Sequence, residues 1–297
     1  MTPAIAAVLV NYNAGDELRA ALQSIAEAIG RTPWEAVVVD NASTDGSEAI
    51  VGEFAPVARL IRNTENVGFA RGVNQGIAAT RGPGILIMNP DCRLDRGAIE
   101  TLLAELNAHP RCAIVGPRIL NPDGSVQGSA RGDPDMLTGL FGRTGAMRRL
   151  LPGLPIARRN VVTDAGASGP EKSVVVDWVS GACMLARRDA VEAVDGFDEG
   201  YFMYWEDADL CRRLRARGCH IRYVPGAIAV HRIGHSSRTA RAASIRAFHA
   251  SAYRYYATHV APGPLNPKRP AARVLLAARC VWQLRNAKFN MQNANDP

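Results

Sequence analysis

The residues of this chain equipped to move a proton or hold a cation are carboxylates in three settings. The densest is 196–210, Gly-Phe-Asp-Glu-Gly-Tyr-Phe-Met-Tyr-Trp-Glu-Asp-Ala-Asp-Leu, where five acids lie among aromatic residues. Acids in the first turn of a helix suit its dipole, and Asp209 stands four before Arg213, a favourable helical pair. Those facts leave the aromatic run unexplained. Aromatic faces beside carboxylates are a sugar-binding composition, and a carboxylate partly desolvated there can act as a general base. The second setting is Asn89-Pro90-Asp91, directly after four apolar residues at 85–88. Proline cannot donate to a sheet ladder, so a strand must stop near Met88. Asp91 then either caps the following helix or hangs at the carboxyl end of a strand, where open α/β sheets bind ligands. The third is Asp40, after 36–39, which either caps a turn or accepts hydrogen bonds from a ribose or a pyrimidine N–H.

Two other stretches can assist them. Residues 66–76, Asn-Val-Gly-Phe-Ala-Arg-Gly-Val-Asn-Gln-Gly, enter a helix with spaced glycines. The glycines permit close backbone approach and Arg71 can reach a phosphate, or the helix is simply tightly packed. Neither a Walker sequence nor a dinucleotide fingerprint is present. His231 and His235 lie four apart, but Gly234 argues for a loop. A neutral imidazole can ligate Mn²⁺ or Mg²⁺ beside carboxylates, or make a structural hydrogen bond.

The elements that must position these groups alternate. Apolar runs at 5–10, 36–39, 85–88 and 113–115 read as strands buried within a sheet, and 59–62 as a further strand. Leu18, Leu22, Ile25 and Ile29 share one helical face; further helices are expected at 47–54, at 68–80 and over Leu94, Ile99, Leu102, Leu103 and Leu106. Repeated β-α units predict an α/β, doubly wound sheet over the first 115 residues. Then the rhythm changes. Asn121-Pro122-Asp123-Gly124 marks a hairpin tip, and 128–172 reads as a long functional excursion. Strands follow at 174–178, 183–186, 222–224 and 227–231, with helices at 189–194 and 206–217. Ile245, Phe248, Ala252 and Tyr255 mark another helix. Pro262, Pro264, Pro267 and Pro270 form a linker before a last segment whose Arg273, Arg279 and Arg285 point in different helical directions. The expected division is 1–236, catalytic, with a nucleotide-binding half at 1–115 and an acceptor half at 116–236, then a basic helical region at 237–297.

The 297 residues, 47% hydrophobic and 21% charged, suit a globular chain with a sizeable core. No signal-peptide pattern follows Met1 and no run of about twenty apolar residues exists, so a cytoplasmic, non-spanning protein is expected. Six scattered cysteines without a Cys-x-x-Cys pair read as small buried hydrophobes. The net charge of +7 hides a split. Residues 1–209 carry 19 Lys+Arg and 27 Asp+Glu, whereas residues 210–297 carry 16 and 1. An acidic body with a basic tail predicts that the tail meets something anionic, such as the inner face of a cell membrane.

Together, and in this order, these segments resemble the inverting nucleotide-sugar glycosyltransferases of glycosyltransferase family 2 over 8–235. Val10-Asn11-Tyr12-Asn13 resembles the first-strand motif, 37–47 the base-binding segment, 66–76 the nucleotide-pocket lining, and 204–210 the Glu-Asp motif with the base. Asn89-Pro90-Asp91, a departure from the usual Asp-x-Asp, resembles the rhamnosyltransferase-like branch. The resemblance implies a GT-A fold: a Rossmann-like, mostly parallel sheet flanked by helices, followed by C-terminal basic helices. It implies dTDP-rhamnose, or another dTDP- or UDP-sugar, as donor and a saccharide or lipid-linked glycan as acceptor. Val10, Asn11, Asn13, Asp40, Asn41, Asn66, Gly68, Arg71, Asn74, Asn89 and Asp91 would line the nucleotide, with Asp40 on the base. Asp91, helped by His231, would hold Mg²⁺ or Mn²⁺. Asp207, beside Glu206, would be the base, and Tyr204 and Trp205 would meet the acceptor.

Competing readings make different demands. A sugar nucleotidyltransferase needs a basic glycine-rich loop after strand one, and 11–15 has neither Lys nor Arg. A nucleic-acid-binding protein would use the basic tail, but no binding module is recognisable and the body is acidic. An inactive nucleotide-sugar-binding relative is argued against by Asp40, Asp91 and Asp207 standing together.

Overall fold

The computed structural model describes residues 3–133, 172–232 and 241–293. Most of the 128–172 excursion, and His235, lie outside the described residues. In chain order the elements are β1 (Ile5–Asn11), α1 (Glu17–Ala28), β2 (Trp34–Asp40), a 3₁₀ turn (Ser47–Phe54), β3 (Ala58–Arg62), α2 (Phe69–Ala78), β4 (Gly84–Met88), β5 (Cys92–Leu94), α3 (Ala98–Ala108) and β6 (Cys112–Leu120). There follow β7 (Ala130–Arg131), β8 (Val174–Val176), β9 (Trp178–Val179), β10 (Cys183–Arg187), α4 (Arg188–Glu192), α5 (Glu206–Ala216), β11 (His220–His231), α6 (Arg241–Tyr255), a π turn (Tyr256–Val260) and α7 (Lys268–Asn293).

The main sheet runs β3-β2-β1-β4-β10-β6-β11-β5, with β8 also on β11. Its β3-β2-β1-β4 half is parallel. β10 is antiparallel to both neighbours, while β6 and β11 are parallel to each other. Every residue of β1 is buried. Alternate side chains feed two cores: Ile5, Ala7 and Leu9 meet α1 and α3, while Val8 and Val10 meet α2. A strand covered on both faces needs no polar alternation, which is why it reads as a plain apolar run. α2 lies unusually close to β1. A Cβ on Gly72 would stand 3.0 Å from Val10, and one on Gly76 only 2.3 Å from Val8 Cγ1.

Several expectations are corrected. Leu94 does not begin a helix; it closes the short strand β5, which pairs with the end of β11. Asp91 therefore caps nothing, and α3 starts seven residues later behind Gly97. The two strands expected at 222–224 and 227–231 are one, because an irregularity between Val224 and Ile228 absorbs Pro225 and Gly226. The stretch expected as one strand at 174–178 is divided between two sheets. The linker ends at Pro267, and Pro270 falls in the first turn of α7, where its missing N–H costs no helical bond. The 121–124 turn forms as expected, closed by Gly124 N–H donating to Asn121 O.

Candidate active site

The carboxyl ends of β1, β2 and β4 and the last residues of β11 converge on one edge of the sheet. At the end of β1, buried Asn11 donates through Nδ2 to Asp40 Oδ1 (2.7 Å), Ser43 Oγ and Ser47 Oγ (2.8 Å). Asp40, 3% exposed, also accepts from the Ser43 N–H and hydroxyl. Its carboxylate is thus fixed by three donors before any ligand arrives. Asn13, in the left-handed region (φ 52°), accepts the Thr44 N–H at 2.7 Å and ties the first loop to the second. Burial raises the Asp45 carboxyl, but the Ser47 hydroxyl and backbone N–H groups outweigh it and hold the acid below its ordinary range.

Asn41 carries the network onward. Its N–H donates to Asn11 O, and its amide donates to Asn66 Oδ1 and Gly68 O while accepting from Asn63. Gly68, with φ 89°, opens α2, and a Cβ there would stand 2.5 Å from Phe202 O. No other residue fits. Phe69 N–H then donates to that same Phe202 O at 2.7 Å. Asn74 uses both ends of its amide on the 196–201 loop, accepting from Phe197 N–H and donating to Phe197 O and Glu199. Arg71, more than half exposed, faces Glu199 at 3.7 Å. Val10 offers only backbone, since its side chain packs under Gly72.

The 196–205 loop delivers the acids. Tyr204 (φ 72°) and Trp205 (φ 73°) are both left-handed, a strained pair for bulky side chains that turns the chain into α5. Glu206 and Asp207 follow, each 6% exposed. Asp207 Oδ2 accepts the Gly181 N–H at 3.0 Å, and Oδ1 accepts the Ala208 N–H at 2.8 Å. Ala182, the next residue, accepts the Asn89 N–H at 2.9 Å. Asp207 and the Asn89-Pro90-Asp91 turn are therefore held by neighbouring peptides at the start of β10.

β11 pairs its last residue, His231, with Cys92 of β5. This sets His231 Nε2 3.1 Å from Asp91 Oδ1 and 3.4 Å from Asn89 Nδ2. Gln127 donates to His231 O and to Asn121, which turns its Oε1 toward His231 Nδ1 at 3.1 Å. Nδ1 thus has an acceptor in Gln127, and Nε2 shares a hydrogen with Asp91 Oδ1; a cation between Asp91 and His231 would take the place of that hydrogen, with Gln127 as the supporting group. Among the described residues no cluster of three or more His, Cys, Asp or Glu is placed to hold a metal. A Mg²⁺ or Mn²⁺ here would have two protein ligands and take the rest from phosphate oxygens and water, which is how such ions commonly sit. The residues fit.

α6 backs the acid loop. Ser251 donates to Met203 O, Arg254 forks onto Asp198, and Trp205 packs against Phe248 and Tyr255. Trp205 is consequently 7% exposed, its ring built into the wall, whereas Tyr204 is half-buried against the edge of Phe248. Asp209, 1% exposed, pairs with His259 at 2.6 Å and with Arg213 at 2.7 Å. Burial raises its carboxyl, but the hydrogen bond with His259 and the Arg213 guanidinium outweigh that and hold it below the ordinary range. Burial and the neighbouring acids push the Tyr201 phenol up.

Every described candidate residue thus lies at one edge of the sheet or on an element packed against it. Sequence reasoning missed Gln127, Gly181, Ser43 and the α6 residues. A small residue before a strand, as in Gly181-Ala182-Cys183, was the single available signal; Gln127 had none, being 104 residues from its partner.

Comparison with known proteins gives concordant matches. The Glycosyl transferase family 2 model matches residues 6–157, and the Glycosyl transferase family group 2 model matches 157–287. An N-acetylglucosaminyl-diphospho-decaprenol L-rhamnosyltransferase of Mycobacterium tuberculosis is 34% identical over 97% of this chain and 95% of that protein. Rhamnosyltransferase WbbL of Escherichia coli is 42% identical, over 30% of this chain and 35% of that protein. Among solved structures, GalNAc-T7 with UDP, GalNAc and Mn²⁺ superposes with a TM-score of 0.60 at 14% identity, over 98% of this chain and 58% of that one. Mannosyltransferase PcManGT of Pyrobaculum calidifontis, in complex with GDP-Man and Mn²⁺, gives 0.58 at 18% identity, over 97% of this chain and 80% of that one. These structural likenesses establish a GT-A-like fold.

Proposed function

This chain belongs to glycosyl transferase family 2, and from that premise we propose that it moves rhamnose from dTDP-rhamnose onto a lipid-linked saccharide in cell-surface polysaccharide synthesis. The observation that carries the reading is the hydrogen-bonded path from Asp40 through Asn11, Asn41 and Gly68 to the acid loop, and from Asp207 through residues 181–182 to Asn89. It joins a base-recognising acid, a diphosphate end and a proton acceptor at one sheet edge. The rhamnose donor is supported by the name of the relative at 34% identity; another dTDP- or UDP-sugar is the alternative.

The reaction is an in-line displacement. An acceptor hydroxyl gives its proton to the Asp207 carboxylate as its oxygen attacks the anomeric carbon. The bond from that carbon to the diphosphate oxygen breaks on the opposite side, and the configuration inverts. The Gly181 and Ala208 N–H groups keep Asp207 in place while each of its oxygens retains a free lone pair. Asp40, pre-ordered by Asn11 and Ser43, takes the N–H of the pyrimidine. Asp91 and His231 would hold a divalent cation. When bound, that ion neutralises charge growing on the departing diphosphate. The peripheral contact with anionic lipid would be made by the basic C-terminal region.

Asp207→Asn tests the assignment. Transfer is expected to fall on the order of 10²–10⁴-fold with nucleotide affinity unchanged; undiminished turnover would remove Asp207 from its role. Slow hydrolysis of a panel of nucleotide sugars, which needs no acceptor, identifies the donor.

A further inference from the structure

α7 is apolar on two opposite faces. Leu276 and Ala287 are buried at intervals that keep one face toward the body, with half-buried Cys280, Gln283 and Leu284 between them. Arg279 also turns inward, its guanidinium 6.0 Å over the Phe248 ring of α6. That inward turn removes a charge from the outer face. What remains outside is Val274, Leu275, Ala278, Val281 and Trp282, spaced i, i+1, i+4, i+7 and i+8, a single helical stripe. Val274 is 67% and Trp282 61% exposed; Leu265, in the loop before α7, is 94% exposed. Contiguous apolar surface of this kind is uncommon on a protein with nothing to cover it.

The charges around the stripe say what covers it. Lys268 borders it and Arg285 continues it one turn on, while Arg269 donates to Gly263 O and the Arg273 guanidinium stands 6.0 Å over the Tyr253 ring of α6; no acidic residue occurs between 210 and 295. Elsewhere in the basic region Arg212, Arg213, Arg215, Arg222 and Arg254 pair with acids of the body. Among the described residues Lys268 and Arg285 form no ion pair. A second copy of the chain packed face to face would bring like charges together, because a two-fold interface meets itself. An anionic lipid surface would meet both features: apolar side chains enter the headgroup boundary, and Lys and Arg stems reach phosphates. No helix among the described residues is long and apolar enough to cross a membrane.

We infer that the outer face of α7 is a docking surface for an anionic bilayer, with Val274, Leu275, Val281 and Trp282 entering the interface and Lys268 and Arg285 over the lipid phosphates. This rests on the reading of a lipid-linked acceptor and adds to it the face that meets the lipid. The inner face of α7 rests on α6, and α6 holds Asp198, Met203 and Trp205. Docking therefore places the acid loop about one helix-packing layer, about 10 Å, behind the helix that touches lipid.

The test floats the full chain with vesicles of phosphatidylglycerol and phosphatidylcholine, and with phosphatidylcholine alone, at low and high salt. The chain is expected to float with the anionic vesicles at low salt. The double variant Val281→Gln/Trp282→Gln should bind on the order of tenfold or more weakly. Lys268→Gln/Arg285→Gln should lose the preference for anionic lipid. These positions are exposed, so melting temperature and donor hydrolysis should stay at wild-type values in both variants. Three results would each overturn the inference: no flotation of the wild type at low salt, undiminished flotation of the Val281/Trp282 variant, or a lipid-free dimer by light scattering that this variant converts to monomer. Transfer to a soluble acceptor analogue is read in parallel; its absence in the wild type counts against the function, whatever the vesicles do.

Discussion

At the scale of single residues, the site is built from side chains whose orientation is settled by other side chains. His231 is the clearest case. Gln127 Oε1 stands 3.1 Å from its Nδ1, which turns Nε2 toward Asp91. Gln127→Leu should raise the Mn²⁺ concentration giving half-maximal activity by about tenfold, the usual effect of losing a supporting bond to a ligating histidine. If EDTA-treated enzyme keeps full activity, the metal role of Asp91 and His231 falls. Asp209 makes a different prediction, about stability. Its folded carboxyl titrates below the ordinary 3.8, so the folded state binds that proton less readily than the unfolded chain. The stabilisation is complete above the ordinary value and disappears as pH falls through the folded one. Asp209→Asn should therefore unfold at lower urea than wild type at pH 7, and the gap should narrow below pH 4. Paired urea melts across that range decide it. At this scale the sequence was legible for acids and opaque for their partners. Asp40, Asp91 and Asp207 stand out by residue type and by their place beside apolar runs. Gln127 and Gly181 do not, because a hydrogen bond between remote segments leaves no spacing to read.

At the scale of elements, legibility followed length and periodicity. β1, β4 and α5 were readable because a doubly covered strand is continuously apolar and a helix face repeats. β5 was not. Its three residues end in Leu94, whose spacing to Ile99 imitates a helix, and only pairing with β11 makes it a strand. β11 was divided by Pro225-Gly226, a strong break signal that a local irregularity overrides. The glycines of α2 admitted two readings, phosphate approach or packing, and the contacts at all three are packing contacts. Gly68 accommodates Phe202, while Gly72 and Gly76 admit β1. The last two are not equivalent. Alanine gains up to about 1 kcal/mol of helix propensity over glycine, enough to offset a 3.0 Å contact at Gly72. At Gly76 the new methyl would meet Val8 Cγ1 at 2.3 Å, in a buried β-branched side chain that cannot swing away. Gly76→Ala should cost about 2 kcal/mol by overpacking, and Gly72→Ala should be near neutral. Chemical denaturation of both, with Val8→Ala as the partial rescue of Gly76→Ala, checks the assignment.

At the scale of the whole molecule, the C-terminal region has two layers with different tasks. α6 is bound into the acid loop through Ser251, Arg254, Phe248, Tyr255 and, beyond its end, His259. α7 rests on α6 and presents its outer face. Ending the chain after Pro262 should leave soluble donor hydrolysis in place, whereas ending it after Ala240 should uncover Trp205 and Asp209 and lower the melting temperature sharply; differential scanning fluorimetry with a hydrolysis assay separates the two. The sequence announced this region by its charge and misled about where the charge goes, since much of it neutralises acids of the body. The fold also ties two ends of the pocket to one atom. The carbonyl of Phe202 receives the N–H that opens α2 and lies where any side chain at residue 68 would go. On the proposed reading, in which 66–76 lines the nucleotide, donor binding and acid placement are not separable modules. A lineage that rewrites 66–76 inherits an obligation to rewrite 196–205 with it, and segment exchange between relatives would succeed only when both pieces travel together.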